Sequence, residues 1–121
     1  EELKEDIKIF ENATPNVMDE AEKQLMGRVR ETYQKRTLVP CTACAYCMPC
    51  PSGVDIPGVF ENYNVSEMFQ RPDTARMHYN WMGDANASKC VECGACEPKC
   101  PQHIPIIQSL KEAHAFLSAK E

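Results

Sequence analysis

Apolar residues recur at three- and four-residue spacing over most of the chain, and no stretch sustains the period-two alternation of a half-buried strand. Met18, Ala21, Leu25, Val29 and Tyr33 form one such stripe, which runs to about Arg36. Thr14 and Pro15 precede it and Asp19 and Glu20 fall in its first turns, so the pattern predicts a helix starting near residue 15 with an ordinary core-facing stripe. Pro40 closes that segment. A second stripe, Val59, Phe60 and Tyr63, follows Gly53, Asp55 and Pro57, which supply a turn, a cap and a first helical position. A third, Ile106, Leu110, Ala113 and Leu117, follows Pro105. Between them Ser66 and Asp73 are candidate caps for short helices carrying Met68, Phe69, Met77 and Trp81. The expected fold class is all-α.

Residues 1–14 mix charges with Leu3, Ile7, Ile9 and Phe10 and carry no readable chemistry, so they are expected to be a linker from a missing upstream domain. That leaves 15–121 as one domain. A chain of 121 residues has room for a single core. The net charge of -5 and the lack of a dense Lys/Arg run argue against nucleic-acid and anionic-membrane partners. No apolar run reaches the length of a membrane span, and EELKEDIKIF lacks the pattern of a signal peptide, so a cytoplasmic location is expected.

Cysteine usage changes this bland picture. All 8 cysteines lie in two short runs, CTACAYCMPCP from Cys41 and CVECGACEPKCP from Cys90. Each run leads through Cys-Pro and Ile-Pro into an amphipathic helix, so the two halves form a pseudo-repeat. Two residues between consecutive thiols let three of them turn toward one polymetallic centre. A fourth cysteine followed by proline matches the run in which that last ligand reaches the other cluster. The expectation is two [4Fe-4S] clusters, with Cys41, Cys44, Cys47 and Cys100 on one and Cys90, Cys93, Cys96 and Cys50 on the other. The first run has only Met48 and Pro49 before its last cysteine where the second has three residues, so the role of Cys50 is the weaker part of this pattern.

Three other uses of eight cysteines compete. A disulfide scaffold spreads its cysteines to staple distant segments, whereas these are bunched. Four-cysteine zinc sites usually come as two separated Cys-x-x-Cys pairs, and uninterrupted three-residue spacing suits one tetrahedral ion poorly. Free catalytic thiols need a base partner, and neither run offers one. Gly53, Gly94, Ala43, Ala45 and Ala95 are small enough to let the backbone approach inorganic sulfur closely.

VPCTACAYCMPCPSGVDIPGVFENYN, residues 39–64, and ASKCVECGACEPKCPQHIPIIQSLKEA, residues 87–113, resemble the C-terminal iron–sulfur domain of certain aldo/keto reductase-family oxidoreductases. With the preceding helix the resemblance covers most of residues 15–121. It implies an α-helical ferredoxin-like domain behind a (β/α)8 barrel that binds NADP(H). The compact βαββαβ ferredoxin is the rival fold, and the helical reading of 51–89 disfavours it. The barrel's nucleotide site and catalytic residues have no counterpart here, so no catalytic residue is assigned. The chain alone is not expected to reduce a carbonyl.

The remaining candidates read as scaffold. His103, His78 and His114 read as surface residues, and Met26, Met68, Met77 and Met82 as core filling. Tyr46 and Met48 lie where they would shield the first centre from water. Two functional classes remain open: an electron-transfer module of an oxidoreductase with an unknown redox donor and acceptor, and a structural or interaction domain stabilised by clusters or by two zinc ions.

Overall fold

A computed structural model describes residues 1–119. Five α-helices are present, α1 Glu2–Glu11, α2 Glu20–Arg36, α3 Ile56–Met68, α4 Pro72–Trp81 and α5 Ile106–Leu117. Three single 3-10 turns, Gly83–Ala85, Ala87–Lys89 and Glu97–Lys99, complete the regular structure, and the described residues contain no strand. The all-α expectation holds. By its contacts the chain divides into one unit ending at Thr32 and a second beginning at Tyr33.

In the first unit, residues 2–11 of the expected linker form α1, whose acidic first turn and Lys8 in the last turn both complement the helix dipole. The predicted start of α2 moves. Asp19 accepts from the Glu22 N–H at 2.8 Å, and Glu22 accepts from the Asp19 N–H at 2.9 Å. This reciprocal capping box fixes the helix start, while Asn16 in the left-handed region (φ 61°) breaks any helix begun at Pro15. The stripe predicted to face a core does not: α2 has no buried residue, and Leu25, Val29 and Tyr33 are exposed.

The second unit holds the core. Helix α3 packs against α4 and α5, and α4 against α5. Ile106, Leu110, Ala113 and Leu117 of α5 are all buried, as the stripe predicts, against Val59 and Phe60 of α3. The structure also corrects the register of the repeat. Helices α3 and α5 open at Ile56 and Ile106, so Val54 corresponds to Ile104, Ile56 to Ile106 and Phe60 to Leu110, and all six are buried. The Ile-Pro pairs of the sequence, at 56–57 and 104–105, are therefore not equivalent positions.

The helix starts are secured by different residues in the two halves. Asp55 caps α3 by accepting from the Gly58 N–H at 3.2 Å. Pro105 occupies the α5 cap position without a side-chain acceptor, and Glu97 of the second cysteine run accepts from the Ile107 N–H at 3.1 Å instead. Ser66 is not a cap. It lies inside α3, buried, with its hydroxyl bonded to the Tyr63 carbonyl, so α3 continues to Met68. At α4, Arg71 is the cap and Pro72 opens the helix; the Asp73 carboxyl is held below its usual range, chiefly by the Thr74 N–H.

Helix α4 turns a different face inward from the one expected. Ala75 and Tyr79 are buried, whereas Met77 and Trp81 are exposed. Tyr79 is 1% exposed, and its hydroxyl lies 2.7 Å from His114 Nδ1 and accepts from the Ala87 N–H at 3.1 Å. This pair of bonds satisfies the one polar atom that the ring carries into the core, and it makes His114 a packing partner rather than a surface residue. Arg76 reinforces the same helix pair, donating to the Phe116 carbonyl and lying over the Phe116 ring. Met26 is exposed as well, so of the four methionines only Met82 packs against the core cluster.

Tyr79→Phe should lower stability by about 1–3 kcal/mol, because the buried Ala87 N–H loses its acceptor. Trp81→Phe, two residues away on the exposed face, should change it by no more than about 0.5 kcal/mol. Chemical denaturation of the anaerobically prepared protein measures both.

Candidate metal centres

The approach to the first cysteine run is held by a residue with no evident role in the sequence. Asn64 of α3 accepts from the Val39 N–H at 2.9 Å and donates to the Val39 carbonyl at 2.8 Å. Val39 is buried, and its carbonyl also accepts from the Cys41 N–H at 2.7 Å. One side-chain amide thus pins the backbone two residues before the first thiol. Its only trace in the sequence is an asparagine inside a helical segment, where it is a mediocre helix former.

Past that anchor, the backbone of both runs visits the left-handed region at matching places. Ala43 (φ 54°) and Glu92 (φ 56°) each follow the first cysteine by two residues, and Ala45 (φ 60°) and Gly94 (φ 76°) each follow the second cysteine directly. Gly53 (φ 79°) and His103 (φ 52°) match in the same way, each three residues after the last cysteine. Only glycine takes this conformation freely; a non-glycine residue loses about 1–2 kcal/mol by it. A left-handed residue beside a right-handed one turns successive N–H groups to one side, as in the concave anion-binding backbone found at many iron–sulfur sites. The Ala43 N–H, 3.5 Å from Cys41 Sγ, shows that direction.

The thiols border two cavities. The first is lined by Cys41, Cys44, Cys47 and Cys100, with Phe60, Ile104 and Ile106 among its apolar walls. The second is lined by Cys90, Cys93, Cys96 and Cys50, with Ile107 and Leu110. Each cavity takes three cysteines from one run and the last cysteine of the other. The shorter first run still brings Cys50 to the second cavity. Exposure repeats too: Cys44 and Cys93 are exposed, and the other six are half-buried.

Charge explains what the cavities favour. Burial pushes the Cys47 thiol up, a backbone hydrogen bond opposes this, and Cys41, Cys44 and Cys100 push it further. Cys96 is raised likewise, first by burial, with Glu97, Cys47 and Cys90 adding to it. Four thiolates around an apolar cavity repel one another and need cationic charge between them. A single zinc ion would draw four sulfurs to about 2.3 Å from one point. Four thiols lining one apolar cavity, three of them at three-residue spacing, with the Ala43 N–H directed at Cys41 Sγ, fit a polynuclear iron–sulfur group.

Other expected residues take lesser places. Tyr46 is exposed rather than folded over the first cavity, and Met48 packs against the core cluster. His103 is an exposed loop residue, and His78 stacks on Trp81. Glu92, which borders the second cavity, pairs with Lys111 at 2.8 Å.

An all-α unit with two four-cysteine cavities built from a pseudo-repeat is the architecture of an iron–sulfur electron-transfer domain. The family model described as a 4Fe-4S dicluster domain matches residues 40–104, over half of the chain, and the chain belongs to that family. It is similar to the probable glycolate oxidase iron-sulfur subunit of Bacillus subtilis (strain 168), 28% identical over 106 residues. That match covers 78% of this chain and 22% of the relative, so the chain spans less than a quarter of the relative's length. No solved structure matches the chain significantly. None of the described helices is long and apolar enough to cross a membrane.

Removing the Asn64 amide should free the lead into the first run without touching a thiol. In Asn64→Ala, amide hydrogen exchange at Val39 and Cys41 should speed up by about tenfold or more, as expected for a local loss of about 1.4 kcal/mol. Exchange around Cys90 should be unchanged.

Proposed function

We propose that this chain is the electron-transfer module of a larger oxidoreductase and holds two [4Fe-4S] clusters, one on Cys41, Cys44, Cys47 and Cys100 and the other on Cys90, Cys93, Cys96 and Cys50. The observation that carries this reading is the pair of cavities, each lined by three cysteines of one run and the last of the other. When bound, such clusters supply reversible one-electron chemistry. The chain's own residues do the rest. The thiolates bind, and the left-handed positions aim N–H groups at sulfur. Phe60, Ile104, Ile106 and Leu110 keep water from the inner faces. Exposed Cys44 and Cys93 mark the outer corners, where an electron has the shortest path to a partner.

The catalytic part that this module serves is the finer question. The motif resemblance favours an aldo/keto reductase barrel in the same polypeptide, and the similarity to a glycolate oxidase iron-sulfur subunit favours an oxidase complex. In the complete protein or complex, bleaching of the cluster absorbance by NADPH supports the barrel, and bleaching by glycolate supports the oxidase. We read the partners as protein components, with no nucleic acid or membrane, in the cytoplasm.

Anaerobically prepared protein should contain about eight iron and eight acid-labile sulfide per chain, and a one-electron reductant should bleach its visible absorbance reversibly. Tightly bound zinc without sulfide, in protein never exposed to air, overturns the reading. Clusters that cannot be reduced and reoxidised leave only the structural role.

Crossed ligation has its own test. Cys100→Ala should deplete the centre held by Cys41, Cys44 and Cys47 and spare the one beside the mutation, and Cys50→Ala should do the reverse. Each should lower the cooperativity of unfolding, since metal binding that joins the halves contributes to folding. Loss of the adjacent centre in either variant counts against the crossed arrangement.

A further inference from the structure

Among the residues lining the two cavities, Ile56 is the one they share. It opens α3 and is 1% exposed. Its counterpart in the repeat, Ile106, lines the first cavity alone. The cavities are close neighbours, since the one side chain of Ile56 borders both. We propose that Ile56 is the partition between two redox centres, and that its side chain sets how strongly an electron on one centre opposes an electron on the other. The inference rests on the two-cluster reading above.

The physical reason is the medium between two like charges. Each reduction adds one negative charge, and the repulsion between two such charges varies inversely with the dielectric response of what lies between them. A buried isoleucine is apolar, and its branch at Cβ holds one orientation, so it fills the wall and keeps water out. Shortening it admits water or lets the wall shift, and the repulsion is screened. The second electron then enters at a potential nearer to that of the first. Ile56 is in this account a positioning residue: it binds nothing and acts through the space that it occupies.

Potentiometric titration followed by electron paramagnetic resonance tests this on anaerobically prepared protein, with iron and sulfide measured in every sample. The wild type should reduce in two separable one-electron steps. Ile56→Ala should retain iron, narrow the separation of the steps and alter the resonance of both centres. Ile56→Val should act in the same direction but less, and it decides the matter if the alanine variant loses iron. Ile106→Val should alter only one centre, the one held by Cys41, Cys44, Cys47 and Cys100. A single unresolved step in the wild type, an unchanged or wider separation in the Ile56 variants, or a change confined to one centre overturns the partition. A wild type without iron and sulfide overturns the two-cluster reading and the partition with it. Full clusters with an unmoved separation overturn the partition alone.

Discussion

Everything in the second unit depends on the crosswise sharing of thiols between two cavities. Cys100 can border the first cavity only if the chain after α4 returns to the start of α3, and Cys50 can border the second only if the reverse is also met. The paired hydrophobic positions enforce this return. Val54 with Ile56, and Ile104 with Ile106, are themselves buried, four and six residues after the two last cysteines. Helix packing and cavity construction are thus one requirement. The gathered thiols work against it, since burial and their neighbours raise both Cys47 and Cys96. A cationic iron–sulfur core between the thiolates would reverse the sign of that interaction and so would couple metal loading to folding in this unit.

The backbone of the cysteine runs carries a second constraint. Left-handed residues stand at matching positions in both runs, yet the residues that supply them differ, alanine against glutamate, alanine against glycine, and glycine against histidine. Repetition of an unfavourable conformation on different side chains points to the N–H directions as the shared requirement, with side-chain identity secondary. The helix caps obey the same logic. Asp55 caps its own helix, while Glu97 reaches α5 from the cysteine run because proline occupies the local cap position.

Much of this was legible in residue order. The all-α class, the two runs, the stripe of α5 and the grouping of thiols by cavity follow from periodicity and spacing, which are local. Where pattern and structure differ, the deciding partner is distant or two local signals compete. Helix α4 offers two stripes at four-residue spacing, Ala75 with Tyr79 and Met77 with Trp81, and hydropathy favours the second. The first is buried because His114 and the Ala87 N–H meet the Tyr79 hydroxyl there. Asn64 has no local signature because its value lies in Val39, far away in sequence. The start of α2 was legible in principle, since Asp19 and Glu22 have capping-box spacing, but Thr14 and Pro15 gave an earlier and equally local signal.

The sequence by itself determined where the candidate ligands stand, because thiol spacing along a run is a property of a short chain segment that no fold alters. It also determined the helices of the second unit, whose apolar stripes and prolines act within a few residues. Tertiary structure alone decided which face of α4 is buried, that Asn64 anchors the first run, and that Ile56 lines both cavities. Each of those depends on atoms brought together across many residues of chain, where the satisfaction of a buried polar group or the filling of a shared wall outweighs local preference.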